Sequence, residues 1–417
     1  MSSALRSLTV RGRAFLASGL TALVCGVVLL ERDLARMGLL VSALPLVAAV
    51  YVAGRSHHLK ITRVVSPPTL VVGETATVRV QVDNGGAPTG VLLLEEQLPY
   101  ALGARPRFLV QPMYRGAHEL LTYSVRPEIR GRHQLGPMQV RLREPFGMVE
   151  RRQEVPGTTQ LLVTPPITPL REIKLGGGWF ASGDDHPRSF TVGNVADVVV
   201  REYRRGDDLR RVHWRSTARM GELMVRNEEQ LWQAKATVVL DNRAVSHRGN
   251  GPGSSLESAV AAAASVAVHL SGLGYRVRLI TGSGVTEGRH ERGRPLDPFP
   301  LLEELATLEA TREPALPEIA LSDDVTGGII IGLLGAIRVD DHDWWARFAR
   351  QNAQSLALVL DVDDWGQPFD PSTGLRSVSG AEPEPPPVPP WLVGQGWRAA
   401  SLNKGASLAS TWLELDR

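Results

Sequence analysis

Two stretches near the start of the chain show no alternation of apolar and polar positions. From Ala14 to Leu30, and again from Met37 to Gly54, no residue is charged. Each run is close to the roughly 17 to 25 residues an α-helix needs to cross the hydrocarbon layer. Neither has the polar face that a helix at the surface of a soluble core carries. Only Glu31-Arg32-Asp33-Leu34-Ala35-Arg36 separates them, so the pattern predicts a transmembrane helical hairpin over 14–54, its backbone satisfying its own hydrogen bonds in lipid. Arg6, Arg11 and Arg13 precede the hairpin and Arg55, Lys60 and Arg63 follow it, whereas the link sets two Arg against two acids. The excess of positive charge at both ends predicts a cytoplasmic N-terminus over 1–13, two passes through the cell membrane, and a cytoplasmic location for the bulk of the chain. A cleaved signal peptide is disfavoured because no small-x-small cleavage site follows the first run.

Beyond the hairpin the period drops to two. Thr75-Ala76-Thr77-Val78-Arg79-Val80-Gln81-Val82 alternates polar with apolar residues, and Asp83-Asn84-Gly85-Gly86 supplies a turn. Short runs of the same kind occur at Gly90 to Gln97, Arg107 to Gln111, Glu119 to Arg126, Met138 to Arg143 and Gln160 to Thr164. Their spacing predicts an antiparallel β-sandwich of immunoglobulin-like type over 60–166. From residue 236 the pattern changes again. Ala236 to Leu240, Arg276 to Thr281, Gly328 to Leu334 and Ser355 to Leu360 read as buried strands, with helices at Leu256 to Leu270, Leu301 to Leu308 and Asp341 to Arg350 between them. A last strand and helix fall at Gly396 to Leu402 and Ser407 to Leu415. Strands alternating with helices predict a doubly wound parallel sheet over 236–417. The Pro- and Glu-rich stretch 381–390 reads as an extended loop. Gly176 through His186 reads as a connector within 167–235.

Composition narrows the chemistry. The 417 residues carry 46 basic and 44 acidic side chains, a formal net charge of +2, so no global field draws the chain to nucleic acid. The single cysteine, Cys25, lies inside the first apolar run, which excludes a disulfide framework and a Cys-rich zinc site. His118-Glu119 opens like a zinc-protease helix, but position 122 is Thr and the surrounding pattern is a strand. No Gly-x-Ser-x-Gly elbow and no Walker lysine loop occur, which removes the α/β-hydrolase and P-loop signatures.

The densest signal runs from Val200 to Arg226, where eight Arg face the four carboxylates of Glu202, Asp207, Asp208 and Glu222. Arg forks match carboxylates two bonds at a time, so such a block is suited to an ionic lattice at a loop or domain junction. Three functional readings stand beside that one. Arg with interleaved Tyr203 and Trp214 is suited to anionic lipid or nucleic acid. Asp207, Asp208 and His213 converging in a cleft would make an envelope-associated hydrolase, although neighbouring carboxylates on a strand point to opposite faces. The third, a surface that receives another protein, fits the balance of charges best. The residues singled out are Tyr203, Gly206, Asp207, Asp208, Arg210, His213, Trp214 and Arg219.

That block, with Tyr203, Gly206-Asp207-Asp208, Arg210, His213-Trp214, Ala218-Arg219 and Leu223-Met224-Val225, resembles the signature of the bacterial "domain of unknown function 58" family. Arg130-Gly131-Arg132, Leu135-Gly136-Pro137 and Glu144-Pro145-Phe146-Gly147 fit the same family, as does the hairpin. The resemblance implies a membrane-anchored protein with a β-rich segment and a C-terminal von Willebrand factor A-like domain. It further implies an adaptor or assembly factor without catalytic activity or cofactor. Its implied partners are proteins, among them a MoxR-type AAA+ ATPase and a transglutaminase-like membrane protein, together with membrane lipid and without nucleic acid. In A domains the first strand ends in Asp-x-Ser-x-Ser, whose oxygens hold a divalent cation. The corresponding run here is Asp241-Asn242-Arg243-Ala244-Val245. Arg243 brings a positive charge and Val245 an apolar group to the two hydroxyl positions, so a degenerate site without metal is expected. Asp323, Asp324, Asp361, Asp363 and Asp364 read as acids of solvated turns.

Overall fold

The computed structural model describes residues 8–53, 58–143, 146–173, 200–203, 212, 214–226, 235–289, 296–316, 328–352, 354–366 and 388–416. The chain divides into two compact units, Met1–Thr164 and Pro165–Arg417. Among the site residues named above, Gly206, Asp207, Asp208, Arg210 and His213 lie outside the described residues, as do the connector 174–199, most of the Pro-rich stretch, Asp323 and Asp324.

The first unit opens with two apolar helices, α1 (Val10–Val28) and α2 (Arg32–Ala53), both long and apolar enough to cross a bilayer. Gly12, Gly19 and Gly26 recur every seven residues on the buried face of α1. A Cβ at Gly19 would stand 2.6 Å from the Ser42 nitrogen, and one at Gly26 2.4 Å from the Ala35 nitrogen. The backbones therefore approach closely, the packing that works where lipid gives helices no hydrophobic drive to associate. Thr9 caps α1 by accepting from the Gly12 N–H at 3.2 Å, while its own N–H donates to the Met148 carbonyl at 2.8 Å.

Ten strands follow: β1 (Leu59–Ser66), β2 (Thr69–Val71), β3 (Ala76–Asn84), β4 (Leu92–Glu96), β5 (Arg107–Val110), β6 (His118–Val125), β7 (Gly131–Leu135), β8 (Met138–Arg143), β9 (Glu150–Val155) and β10 (Thr159–Thr164). They form three sheets, ordered β1-β3-β6, β2-β10-β7 and β5-β4-β8-β9, around one apolar core. Period-two patterning does the work: Ala76, Val78, Val80 and Val82 of β3 are all buried and the residues between them face out. The expected antiparallel pairing holds except between β10 and β2, which run parallel. Arg63, counted above among the charges flanking the membrane, is instead buried, because β1 turns its side chain inward to pair with Glu96 at 3.0 Å.

In the second unit, β11 (Val200–Glu202) and β12 (Met224–Arg226) pair antiparallel and flank the short helix α3 (Trp214–Met220). The main sheet contains β13 (Lys235–Leu240), β14 (Arg276–Thr281), β15 (Gly284–Glu287), β16 (Ile329–Leu334), β17 (Gln354–Leu360) and β18 (Trp397–Leu402), in the order β15-β14-β13-β16-β17-β18. All neighbours are parallel except β15, which returns antiparallel along β14. The helices are α4 (Ser255–Gly272), α5 (Phe299–Thr307), α6 (His342–Gln351), α7 (Asp363–Gly366), α8 (Pro390–Gly394) and α9 (Leu408–Glu414). Val238 and Leu240 join the core beneath α4, while Val239 joins the opposite core with Trp345, Phe348 and Trp397. Burial on both faces is why the central strands read as unbroken apolar runs. The Pro-rich stretch ends earlier than expected: Pro390 opens α8, since a ring without an N–H costs nothing at a first helical position.

Candidate functional site

The strand order reverses direction between β13 and β16, and in open α/β sheets ligands gather at the carboxyl ends of the strands at such a point. Asp241 follows β13 there, its N–H donating to the Leu333 carbonyl of β16 at 3.1 Å. Asn242 fastens the loop sideways, accepting from the Gly282 N–H at 2.8 Å and donating to the Glu309 carbonyl at 2.8 Å. Gly335 makes this possible from the β16 side, because a Cβ there would lie 2.0 Å from the Ser246 carbonyl oxygen.

At the centre lies Arg243, whose side chain is 2% exposed. Its Nε and one terminal nitrogen grip both oxygens of Asp241 at 2.9 and 2.8 Å. The terminal nitrogens also grip both oxygens of Asp341 at 2.8 Å each, and one donates to the Pro314 carbonyl at 2.9 Å. A guanidinium has five N–H donors in a fixed fork, and all five are used. Burial opposes its charge, but the hydrogen bonds it donates to Asp241 and Asp341 outweigh that and hold it protonated. Burial likewise raises the Asp341 carboxyl, and Arg243 with the Arg338 N–H more than reverses the effect, leaving its pKa below the ordinary value. His247 closes the site, its Nε2 lying 2.6 Å from the Asp241 carbonyl and its Nδ1 3.0 Å from the Ser255 hydroxyl.

The two carboxylates thus surround an internal cation. Asp241 and Arg243, two of the three residues singled out here, are in direct contact. Val245 does not join them: the chain turns in a 3₁₀ step over Ala244–Ser246, which leaves Val245 exposed and buries Ser246. Asp341 was legible only as a helix start, and its role as second partner was missed. A cavity of about 190 Å³ opens beside the ion triad, lined by Asn242, Arg243, Gly282, Thr311, Glu313 and Leu316 among others. Asp361 follows β17, and Asp363 and Asp364 begin α7. Among the described residues no group of three or more His, Cys, Asp or Glu is arranged to hold a metal ion.

The Arg-rich block is described in part. Tyr203 is half-buried and its N–H donates to the Leu223 carbonyl at 2.8 Å, extending the β11–β12 ladder. Thr217 of α3 accepts from the Met224 N–H at 3.0 Å, which ties the helix to β12. No residue of α3 is buried: Trp214 is 70% and Met220 68% exposed, with Arg215 and Arg219 exposed beside them.

Solved structures give only distant likeness. The CARDB domain of a Pyrococcus furiosus protein in complex with di-metal ions is 17% identical, at a TM-score of 0.20, over 26% of this chain and 88% of its own. An alkylpurine DNA glycosylase of Pseudomonas fluorescens is 16% identical, at a TM-score of 0.19, over 32% of this chain and 39% of its own. A β-glucosidase of Erythrobacter marinus is 14% identical, at a TM-score of 0.16, over 26% of this chain and 15% of its own. None of these carries an argument about fold or chemistry. Curated proteins give no match. The family described as "Protein of unknown function DUF58" matches residues 199–291, a span that holds the block with α3, the strand β13 and the loop of Asp241 and Arg243. The upstream motifs at 130–137 and 144–147 lie outside the matched span, so the match to this family rests on residues 199–291.

Proposed function

We propose that the protein is a membrane-anchored, non-catalytic adaptor or assembly factor. In this reading α1 and α2 hold it in the cell membrane with the bulk of the chain cytoplasmic, and the DUF58 segment receives partner proteins, foremost a MoxR-type AAA+ ATPase. A transglutaminase-like membrane protein is the second partner the reading names. The observation that carries it is the surface of α3, where Trp214 and Met220 stand exposed at its two ends with Arg215 and Arg219 exposed between them. Trp, Met and Arg are the residue types enriched where protein interfaces concentrate their binding energy. The doubly wound order, with Asp241 at the switch point, supports a von Willebrand factor A-like reading of the second unit. Arg243 then supplies from within the chain the positive charge that a divalent cation supplies in such domains, which fits a domain that binds without metal.

The test is capture by crosslinking in native membranes, using the full chain and its Trp214→Ala and Arg219→Glu variants. An AAA+ ATPase should be recovered with the parent chain and lost with both variants, whose altered side chains are exposed and leave folding intact. Identical partner sets for all three chains would overturn the assignment of the surface.

A further inference from the structure

Strand registers bring a particular set of turns to one end of the β-sandwich. Asn84 at the end of β3 pairs with Leu59 at the start of β1, and Asp83 pairs with His118 at the start of β6. Leu92 at the start of β4 lies opposite Val110 at the end of β5 and Leu142 in β8, and Arg143 pairs with Glu150 at the start of β9. The turns 85–91, 111–117 and 146–149 therefore share that end with His58. Asn84, itself buried, binds two of them together. Its amide nitrogen is directed at the carbonyls of Ala87, Met113 and Tyr114 at 3.0, 3.1 and 3.2 Å, and its oxygen accepts from the Gly86 N–H at 3.0 Å.

The same end meets the hairpin. Met148 and Val149 pack with Leu8, Ala49 and Val52, and against Leu16 and Ala48. Thr9 donates from its hydroxyl to the Gly147 carbonyl at 2.6 Å. Leu16 lies about 9 Å along α1 from its first residue at 1.5 Å per residue. The turn 146–149 thus reaches the depth of the first turns of α1 and the last turns of α2, where a membrane span passes from headgroups into hydrocarbon. At that level Phe146 is 67% exposed, and Tyr114 on the neighbouring turn is 77% exposed. Arg11 and Arg13 are exposed on the first turns of α1. Beside Tyr114 an open cup of about 570 Å³ is lined by His58, Gly85, Gly86, Ala87, Pro88 and Arg115, with no acidic side chain among them.

From this juxtaposition we propose that the hairpin-proximal end of the β-sandwich is a lipid-binding surface. Phe146 and Tyr114 sit at the boundary between headgroups and acyl chains, where aromatic rings settle. The cup between His58 and Arg115 holds the phosphate of an anionic lipid headgroup, to which basic side chains at a membrane surface are drawn. This rests on the reading of α1 and α2 as membrane spans. It also makes the β unit a part of the anchor, held down by its own turns as well as by the chain that enters it.

The test uses the full chain carrying Cys25→Ala and one new cysteine at a time, labelled with an environment-sensitive fluorophore and reconstituted into phosphatidylcholine vesicles with increasing phosphatidylglycerol. A label at Phe146→Cys should emit to the blue and be quenched by nitroxide on the acyl chains. A label at Tyr100→Cys, exposed at the opposite end of the sandwich, should do neither. A label at Ala87→Cys should shift to the blue as phosphatidylglycerol rises, and Arg115→Glu should abolish that shift. A Phe146 label as accessible to aqueous iodide as the Tyr100 label overturns the seating, and an Ala87 label indifferent to phosphatidylglycerol overturns the cup. Alkaline carbonate extraction of the same vesicles separates the two failures. Retained protein with a water-exposed Phe146 label sinks the surface alone, whereas extracted protein sinks the spans and the surface together.

Discussion

Replacing Arg243 by Ala would leave the Asp241 and Asp341 carboxylates buried and facing each other without their cation. Breaking a buried ion pair by removing one partner costs about 3–5 kcal/mol, because the charge left behind stays desolvated. Arg243→Ala should therefore lower the melting temperature of the second unit by about 10 °C, taking a few degrees per kcal/mol for a unit of this size. The vacated place between two carboxylates also suits a hard divalent ion. Millimolar Mg²⁺ should thus raise the melting temperature of Arg243→Ala and leave the parent chain unchanged, which thermal scans with and without Mg²⁺ will decide. His247 adds a pH dependence. Burial above all holds its imidazole below the ordinary value, against the pull of Asp241 and with help from Arg243 and Arg248. The unfolded chain takes up a proton near its free value of about 6.5 and the folded chain does not, so stability should fall as pH drops below that value. Denaturant midpoints at about pH 7.5 and 5.5 should differ more for the parent chain than for His247→Gln. The sequence exposed Arg243 as a charge out of place in an A-domain pattern. Its second partner was hidden because Asp341 lies 98 residues away, and only the parallel register of β13 with β16 brings the two loops together.

At the scale of elements, legibility followed burial of apolar side chains. β3 was readable because every second residue enters the core. β1 also buries every second residue, but with Arg63 inside and Val64 outside its polarity does not alternate. β7 and β9 were not readable: Leu135 and Val155 alone are fully buried, and the other positions, although they alternate in exposure along β7, hold polar residues or glycine. α3 escaped for the same reason: with no buried residue it has no apolar stripe. The motif Leu135-Gly136-Pro137, which resembles that of the family, has a local cause. Gly136 has φ +94°, and a Cβ there would stand 2.6 Å from the Gly157 carbonyl oxygen and 3.0 Å from the Arg63 guanidinium carbon. That guanidinium spans the core, donating from Nε to Glu96 at 3.0 Å and from a terminal nitrogen to the Gly157 carbonyl at 2.8 Å. Gly136→Ala should cost about 2 kcal/mol or more through backbone strain and displacement of Arg63, measured as a shift in the unfolding midpoint of the first unit. In the hairpin, Gly19→Leu should separate α1 from α2, because the Ser42 backbone has no room to yield. Cysteine pairs placed across the two helices should then crosslink more slowly than in the parent chain.

At the scale of the whole molecule, two units with separate cores share one chain. The hairpin and sandwich are joined by Thr9, Met148 and Val149, whereas the second unit recruits the segment just after Thr164 into its own core. There Ile173 is buried, the Thr168 N–H donates to the Ser265 hydroxyl at 2.9 Å, and the Trp412 indole donates to the Arg171 carbonyl at 3.0 Å. Units that each close their own core are expected to unfold as separate cooperative steps. Calorimetry of the full chain in detergent should then resolve two transitions. Arg243→Ala should move only the one belonging to the α/β unit, and Gly136→Ala only the one belonging to the sandwich. A single transition displaced by both substitutions would mean that the ion triad and the buried Arg63–Glu96 pair support one cooperative body, and the partner capture proposed for α3 would then depend on the integrity of the sandwich as well.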